Sequence, residues 1–192
     1  GEKEELSINL PYSKDEKGNP KKLIIPKNLH ILATMNTVDK SIALIDVALR
    51  RRFEFIECLP KYDLEELKKY KDIDLPKMLE IINNRITILK NEHYQIGHSY
   101  FLKIDSFESL KNIMIKDIIP LLQEYFYDDW ESICAVLNQD YKNPKKNQLL
   151  IITKSQDNLF KKEFNELTEF RNKKVFKINY SFTKEEIKEI YN

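Results

Sequence analysis

Residues 29–35 (Leu-His-Ile-Leu-Ala-Thr-Met) form a nearly unbroken apolar run that ends on a polar side chain, Asn36. A run this short and this apolar predicts a strand covered on both faces, the kind found inside parallel sheets. In an open parallel sheet, ligands bind beyond the carboxyl ends of the strands. That places Asn36 at the rim of a site. His30 interrupts the run with no acid or Cys partner beside it, so it reads as a hydrogen-bonded core or edge histidine. Asp39 or Ser41 can cap a following helix in which Ile42, Ile45, Ala48 and Leu49 share one face. This helix ends in Arg50, Arg51 and Arg52, and the alternation Phe53-Glu54-Phe55 predicts a short strand closed by Pro60. Residues 1–60 therefore read as the tail of an α/β core.

Upstream of the apolar run, two short apolar stretches (residues 6–10 and 23–25) flank turn chemistry at Asp15, Gly18, Asn19 and Pro20, so a β-hairpin or a loop between short strands is expected. From Asp63 the pattern turns helical. Asp63 caps a charged helix reaching Tyr70, and Asp74 with Pro76 opens a second with Leu79, Ile82, Ile86 and Leu89 on one stripe. Ser106 caps a third carrying Leu110, Ile113 and Met114. Asp117 and Pro120 suit the first turn of a fourth, to about Tyr127. Asp128 or Asp129 begins a fifth, with Trp130, Ile133, Cys134 and Leu137 at i, i+3, i+4, i+7 spacing. Residues 61–140 thus predict a small helical bundle. Residues 141–147 read as a solvated linker, residues 149–153 and 174–178 as strands, residues 158–170 as a helix, and Thr183 with Glu186 as the capping box of a closing helix. Residues 141–192 form a small α+β extension on this reading.

The chain carries 32 basic and 31 acidic residues, a net charge of +1. So balanced a surface has no global field to draw in a polyanion, which disfavours a dedicated DNA-binding module. Ten Tyr and ten Phe argue against disorder. No apolar run approaches the ~20 residues of a membrane helix. Cys58 and Cys134 stand far apart among apolar residues, which predicts two buried free thiols and a reduced, cytoplasmic setting.

Few residues carry chemistry. The Asn36 amide can accept from a water and donate to a phosphate oxygen, or it can stop a strand by bonding a turn; on spacing alone the second role is the commoner. Asp39 is a helix cap by position. Cations at a helix carboxyl end gain ~0.3–1 kcal/mol from the macrodipole, which accounts for one arginine better than for three. Guanidinium groups suit bidentate contact with phosphate oxygens, and successive residues on a helix point about 100° apart, so Arg50, Arg51 and Arg52 cannot serve one site equally. His98 follows Gly97, a glycine that suggests a backbone constraint. A polar group reaching a ligand and a histidine fixing a turn against Tyr100 are both open for it. The three glycines, Gly1, Gly18 and Gly97, form no Gly-x-x-x-x-Gly-Lys-Ser/Thr loop.

Residues 33–53, ATMNTVDKSIALIDVALRRRF, resemble the second half of the AAA+ module of the McrB family, GTPase subunits of methylcytosine-dependent restriction systems. Residues 96–101 (IGHSYF) and 118–127 (IIPLLQEYFY) resemble the helical lid of the same family. The resemblance covers roughly residues 10–137. It implies an α/β, mainly helical chain: the last strands of an AAA+ P-loop NTPase core, a lid bundle and the α+β tail. It further implies that the phosphate-binding loop, the Asp-Glu magnesium motif and a DNA-reading amino-terminal domain lie upstream. With no initiator Met, the chain reads as an expressed fragment with Gly1 as a cloning scar. The implied cofactors are GTP or ATP with Mg2+ in the full-length parent, none of them expected on the fragment. The implied partners are neighbouring protomers of a hexameric ring, an McrC-like nuclease subunit, and DNA through the upstream domain, with no membrane. Asn36 falls at the sensor-1 position, Asp39 completes an Asn-Thr-x-Asp signature that aligns the catalytic water, Arg51 and then Arg52 match the arginine finger acting in trans, and Arg50 and His98 approach nucleotide. The competing reading, from another class, is a helical interaction module that docks a nuclease subunit without nucleotide chemistry.

Overall fold

Asp15 folds the first turn onto itself: its carboxylate accepts the N–H groups of Lys17 (2.9 Å) and Asn19 (2.8 Å), and Gly18 supplies the positive φ of +84°. These bonds draw its carboxyl pKa below the ordinary value, the Asn19 backbone contributing most. The turn closes an antiparallel hairpin of β1 (Leu6–Lys14) and β2 (Pro20–Ile25), as the sequence predicts. The computed structural model describes residues 6–26, 28–35, 50–127, 129–142, 148–155 and 174–192. Two units are compact by themselves, Gly1–Asp39 and Lys40–Asn192.

The strands expected of an AAA+ core do not appear among the described residues. Residues 29–35 form no ladder, and Leu29, Ile31, Leu32 and Met35 are exposed. Residues 53–55 likewise form no strand, and Phe53 and Phe55 are exposed. A strand takes its backbone partners from its neighbours, and no described strand pairs with either segment. Apolar content alone does not make a strand. His30 is exposed rather than part of a core. The predicted helix over residues 41–49 and the helix over 158–170 lie outside the described residues, apart from Arg50, which is helical.

The second unit follows its caps. A 3-10 turn (Glu65–Lys68) stands where a longer charged helix is expected, with Leu64 rather than Asp63 at its start. The main helix, α1 (Leu75–Leu89), begins where Asp74 accepts the Lys77 N–H (3.1 Å) and Pro76 occupies the first turn. Its stripe Met78, Leu79, Ile82 and Ile86 is fully buried, while Leu89 is exposed. Ser106 and Ser109 exchange bonds in a capping box that opens α2 (Phe107–Ile113). There is no break before Pro120, contrary to the expected fresh start at Asp117. Instead α2 runs through a π-turn (Met114–Ile118) straight into α3 (Ile119–Phe126), with the Ile119 N–H bonding the Met114 carbonyl. In an α-helix the proline ring would crowd the carbonyl of Lys116, four residues back; the wider turn relieves this without ending the rod. Asp129 caps α4 (Trp130–Val136) through the N–H groups of Glu131 and Ser132.

The tail joins the same core. β3 (Leu150–Ser155) and β4 (Lys174–Ile178) pair antiparallel, and α5 (Lys184–Lys188) follows Thr183, whose N–H donates to the Glu186 carboxylate at 2.6 Å. Leu149, Leu150, Phe176, Phe182, Ile187 and Ile190 are buried in the cluster that holds α1 to α4. Arg85 on α1 donates to the carbonyls of Val136 (2.9 Å), at the carboxyl end of α4, and Ile190 (2.7 Å), just past the end of α5. Burial draws its pKa down, yet a guanidinium stays charged at any ordinary pH. Lys184 meets Asp72, and that contact lowers the Asp72 pKa and raises that of Lys184.

Cys134 is buried as predicted, and burial pushes its thiol up to about 12. Cys58 is exposed, because the segment around it is not covered by a sheet. A neutral thiol-directed alkylating reagent at pH 7.5 should therefore label Cys58 alone in the folded chain and both thiols in denaturant. Mass spectrometry reads this directly, and native labelling of both would contradict the placement of Cys134. No helix among the described residues is long and apolar enough to cross a membrane.

Candidate functional site

Asn83 sits on the apolar stripe of α1, between Leu79 and Ile86, and is fully buried. A buried amide must find partners for its donors and acceptor. Its Oδ1 accepts the Ile96 N–H (2.7 Å), and its Nδ2 donates to the Ile96 carbonyl (2.9 Å) and to the Tyr62 hydroxyl (3.1 Å). The side chain thus grips both backbone groups of Ile96 as a neighbouring strand would. Nearby, Thr87 donates to the Asn83 carbonyl (2.9 Å) and accepts from Gln95 Nε2 (3.0 Å). These bonds fix residues 95–96 against α1.

Residue 96 begins the IGHSYF segment. Ile96 and Phe101 are buried anchors at its two ends, and between them His98–Phe101 forms a 3-10 turn. Gly97 has φ −67°, and a Cβ there would meet only Ser99 Oγ at 3.5 Å, so the expected glycine constraint is absent. His98 is half-buried and does not fix the turn against Tyr100. Its Nδ1 accepts the backbone N–H of Lys61 at 3.1 Å, across 37 residues of chain. A ring nitrogen that accepts carries no proton, so in the neutral ring the proton is on Nε2. Among the described residues nothing is bonded to Nε2. Alongside, Tyr94 and Tyr125 meet edge to face with ring centres 5.1 Å apart, and burial pushes the Tyr125 hydroxyl up.

The arginines lie at the start of the segment that leads to Lys61. Arg50 is helical, Arg51 and Arg52 occupy the turn after it, and all three are exposed. The Arg50 guanidinium stands 5.6 Å from the centre of the Phe55 ring, within cation–π range. Among the described residues Arg51 and Arg52 have no ion pair or ring contact. Asn36 and Asp39 lie outside the described residues. Of the sequence-predicted site residues, the structure therefore ties His98 to the connector at Lys61, and gives Arg50 a neighbour in Phe55. Asn83, Tyr62 and Arg85 were not singled out by sequence reasoning. An Asn on an otherwise apolar helical stripe was the available signal for Asn83; nothing in the local sequence marks Tyr62 as its partner.

Among the described residues, the guanidinium groups of Arg51 and Arg52 and the His98 Nε2–H are donors without acceptors. Such donors suit an anion. Among the described residues no group of three His, Cys, Asp or Glu is placed to hold a metal.

Comparison with known proteins matches residues 74–134 to the family model described as McrB, alpha-helical lid domain. The chain is also 33% identical over 145 residues to the type IV methyl-directed restriction enzyme EcoKMcrB subunit of Escherichia coli K12, a match covering 66% of this chain and 31% of that protein. The chain thus spans about a third of the length of the curated relative it matches. The matched lid region opens at the cap Asp74, contains Asn83 and the whole His98 turn, and closes in α4. By these two matches the chain is McrB-like, with an McrB-type helical lid over residues 74–134.

Proposed function

We propose that this chain is part of a GTP-preferring AAA+ motor subunit of a modified-cytosine-dependent restriction endonuclease, in which nucleotide hydrolysis powers DNA translocation and cleavage by an McrC-like nuclease partner. The lid match over residues 74–134 carries the reading, and the wider similarity to the EcoKMcrB subunit supports it. On this reading residues 1–60 are the last part of the nucleotide core, residues 61–140 the lid, and residues 141–192 a carboxyl-terminal extension. Neighbouring protomers form a hexameric ring, DNA is read by a separate amino-terminal domain, and the setting is cytoplasmic.

The chemistry is in-line attack of water on the γ-phosphate. Asn36 orients the water through its amide, and Asp39 aligns the same water or answers the neighbouring protomer. Arg51, with Arg52 second, crosses to a neighbour's nucleotide and neutralises charge as it develops in the transition state. Arg50 and His98 face nucleotide within the protomer. The exposed guanidiniums and the His98 Nε2–H are of the donor types that phosphate oxygens require, which supports this reading. Mg2+, when bound, neutralises the β- and γ-phosphate oxygens; the described residues provide no cluster for it.

Phosphate release by the full-length parent, with GTP and its nuclease subunit, tests the proposal. Turnover should be lost in Asn36→Ala while circular dichroism of the lid is unchanged. The 192-residue chain alone should release no phosphate above background, because its sequence contains no loop to cradle phosphates. A parent with no nucleotide turnover would favour the interaction-module reading. Mg2+-dependent turnover by the isolated chain, lost in Asn36→Ala, would overturn the assignment of the phosphate loop to another part of the protein.

A further inference from the structure

We infer that Asn83 is a positioning residue for His98, and that with Tyr62 it latches the connector leaving the arginine segment onto the lid. The inference rests on the proposed nucleotide reading only for what His98 touches; the latch itself stands on geometry. Two consecutive connector residues are tied to the lid through different groups. Lys61 gives its backbone N–H to His98 Nδ1 (3.1 Å), and Tyr62 accepts from Asn83 Nδ2 (3.1 Å) at its hydroxyl. Asn83 also holds the N–H and C=O of Ile96, two residues before His98. The circuit closes: connector to His98, His98 through the chain to Ile96, Ile96 to Asn83, Asn83 back to the connector.

A helix stripe wants an apolar side chain, and a buried amide is costly unless all its groups are bonded. Asn83 meets that demand with three bonds, all to residues outside α1, so its polar groups serve the segments around the helix rather than the helix. The bond from Lys61 has a chemical consequence. It requires an unprotonated Nδ1, so the neutral ring presents Nε2–H as a donor in a fixed direction. A lid that carries this donor is joined to residues 61–62, and so to the chain running back to Arg52. The lid is thereby tied directly to the carboxyl end of the connector that leads from Arg52.

Amide hydrogen exchange on the chain itself, without nucleotide, tests the latch. In Asn83→Asp the two Nδ2 donors are lost while the acceptor for the Ile96 N–H is kept. Exchange at Lys61 should rise about tenfold, with the amides of Ile82 and Ile86 in α1 changed less than twofold. Tyr62→Phe removes only a hydroxyl from a half-buried ring and keeps the test decisive if Asn83→Asp fails to fold; Lys61 exchange should rise about threefold to fivefold. His98→Gln, which retains an acceptor, should restore part of the Lys61 protection lost in His98→Phe. A merely structural Asn83 would raise exchange across the whole core by one factor. That uniform rise, or an unchanged Lys61 amide in Tyr62→Phe, would overturn the inference. Because no nucleotide takes part in this experiment, its failure would leave the proposed function to be decided separately by the hydrolysis assay.

Discussion

Alanine at position 51 of the full-length parent should lower kcat by at least about 10³ while nucleotide affinity changes little. The expectation follows from chemistry and exposure together. Arg51 is exposed, and among the described residues its guanidinium has no ion pair and no ring partner. Arg50, by contrast, already stands against Phe55 at 5.6 Å. An exposed guanidinium with no partner among the described residues is placed to reach a neighbour's transition state. Lysine at position 51 should rescue poorly, since a point charge cannot reproduce a two-pronged contact. Trans action makes a sharper demand. Mixing Arg51→Ala protomers with protomers defective in their own phosphate loop should restore some turnover, because an intact composite site can form between them. Mixtures that stay dead, with Arg51→Ala merely lowering Tm, would reduce the arginine run to a packing feature and leave the assignment to Asn36 and Asp39.

What could be read from the sequence was what the sequence decides locally. Asp74, Ser106, Asp129 and Thr183 each announce a helix start, because a cap needs only its own side chain and the next three residues. The hairpin over residues 6–25 was legible for the same reason: Asp15 and Gly18 dictate the turn. Residues 29–35 show where that logic stops. Their apolar run suggests a buried strand, but burial and pairing come from other segments, and none of the described strands provides them. Cys58 was misplaced by the same step. Pro120 does occupy the first turn of its α-helix, as read, but a π-turn joins that helix to the one before it, so no fresh start falls at Asp117. At the candidate site, the resemblance drew attention to His98, but its partner was unreadable. The acceptor role of Nδ1 depends on Lys61, 37 residues away, brought there by the packing of the whole bundle. Asn83 was within reach as a polar residue on an apolar stripe.

Phe101→Ala should cost about 3–5 kcal/mol in urea unfolding, among the largest effects of any single substitution in the second unit. The ring is fully buried, and the 3-10 turn it ends has no side-chain cap to hold it. Two anchors fix this segment: Asn83 at Ile96 on one side and the Phe101 ring on the other. Removing the ring leaves a cavity and frees the end of the turn that bears His98. The loss should therefore be coupled to the latch, with Lys61 exchange rising further than the global destabilisation accounts for. Exposure supplies the control. Ile88 is 84% exposed, so Ile88→Ala should change stability by no more than about 0.5 kcal/mol although it removes a large aliphatic side chain from the same bundle. If Phe101→Ala costs less than about 1 kcal/mol, the ring does not anchor the turn, and His98 would be held by the Asn83 grip on Ile96 and its own hydrogen bond to Lys61. If the full cost appears but Lys61 exchange rises only with the rest of the core, Phe101 stabilises the lid without positioning the histidine.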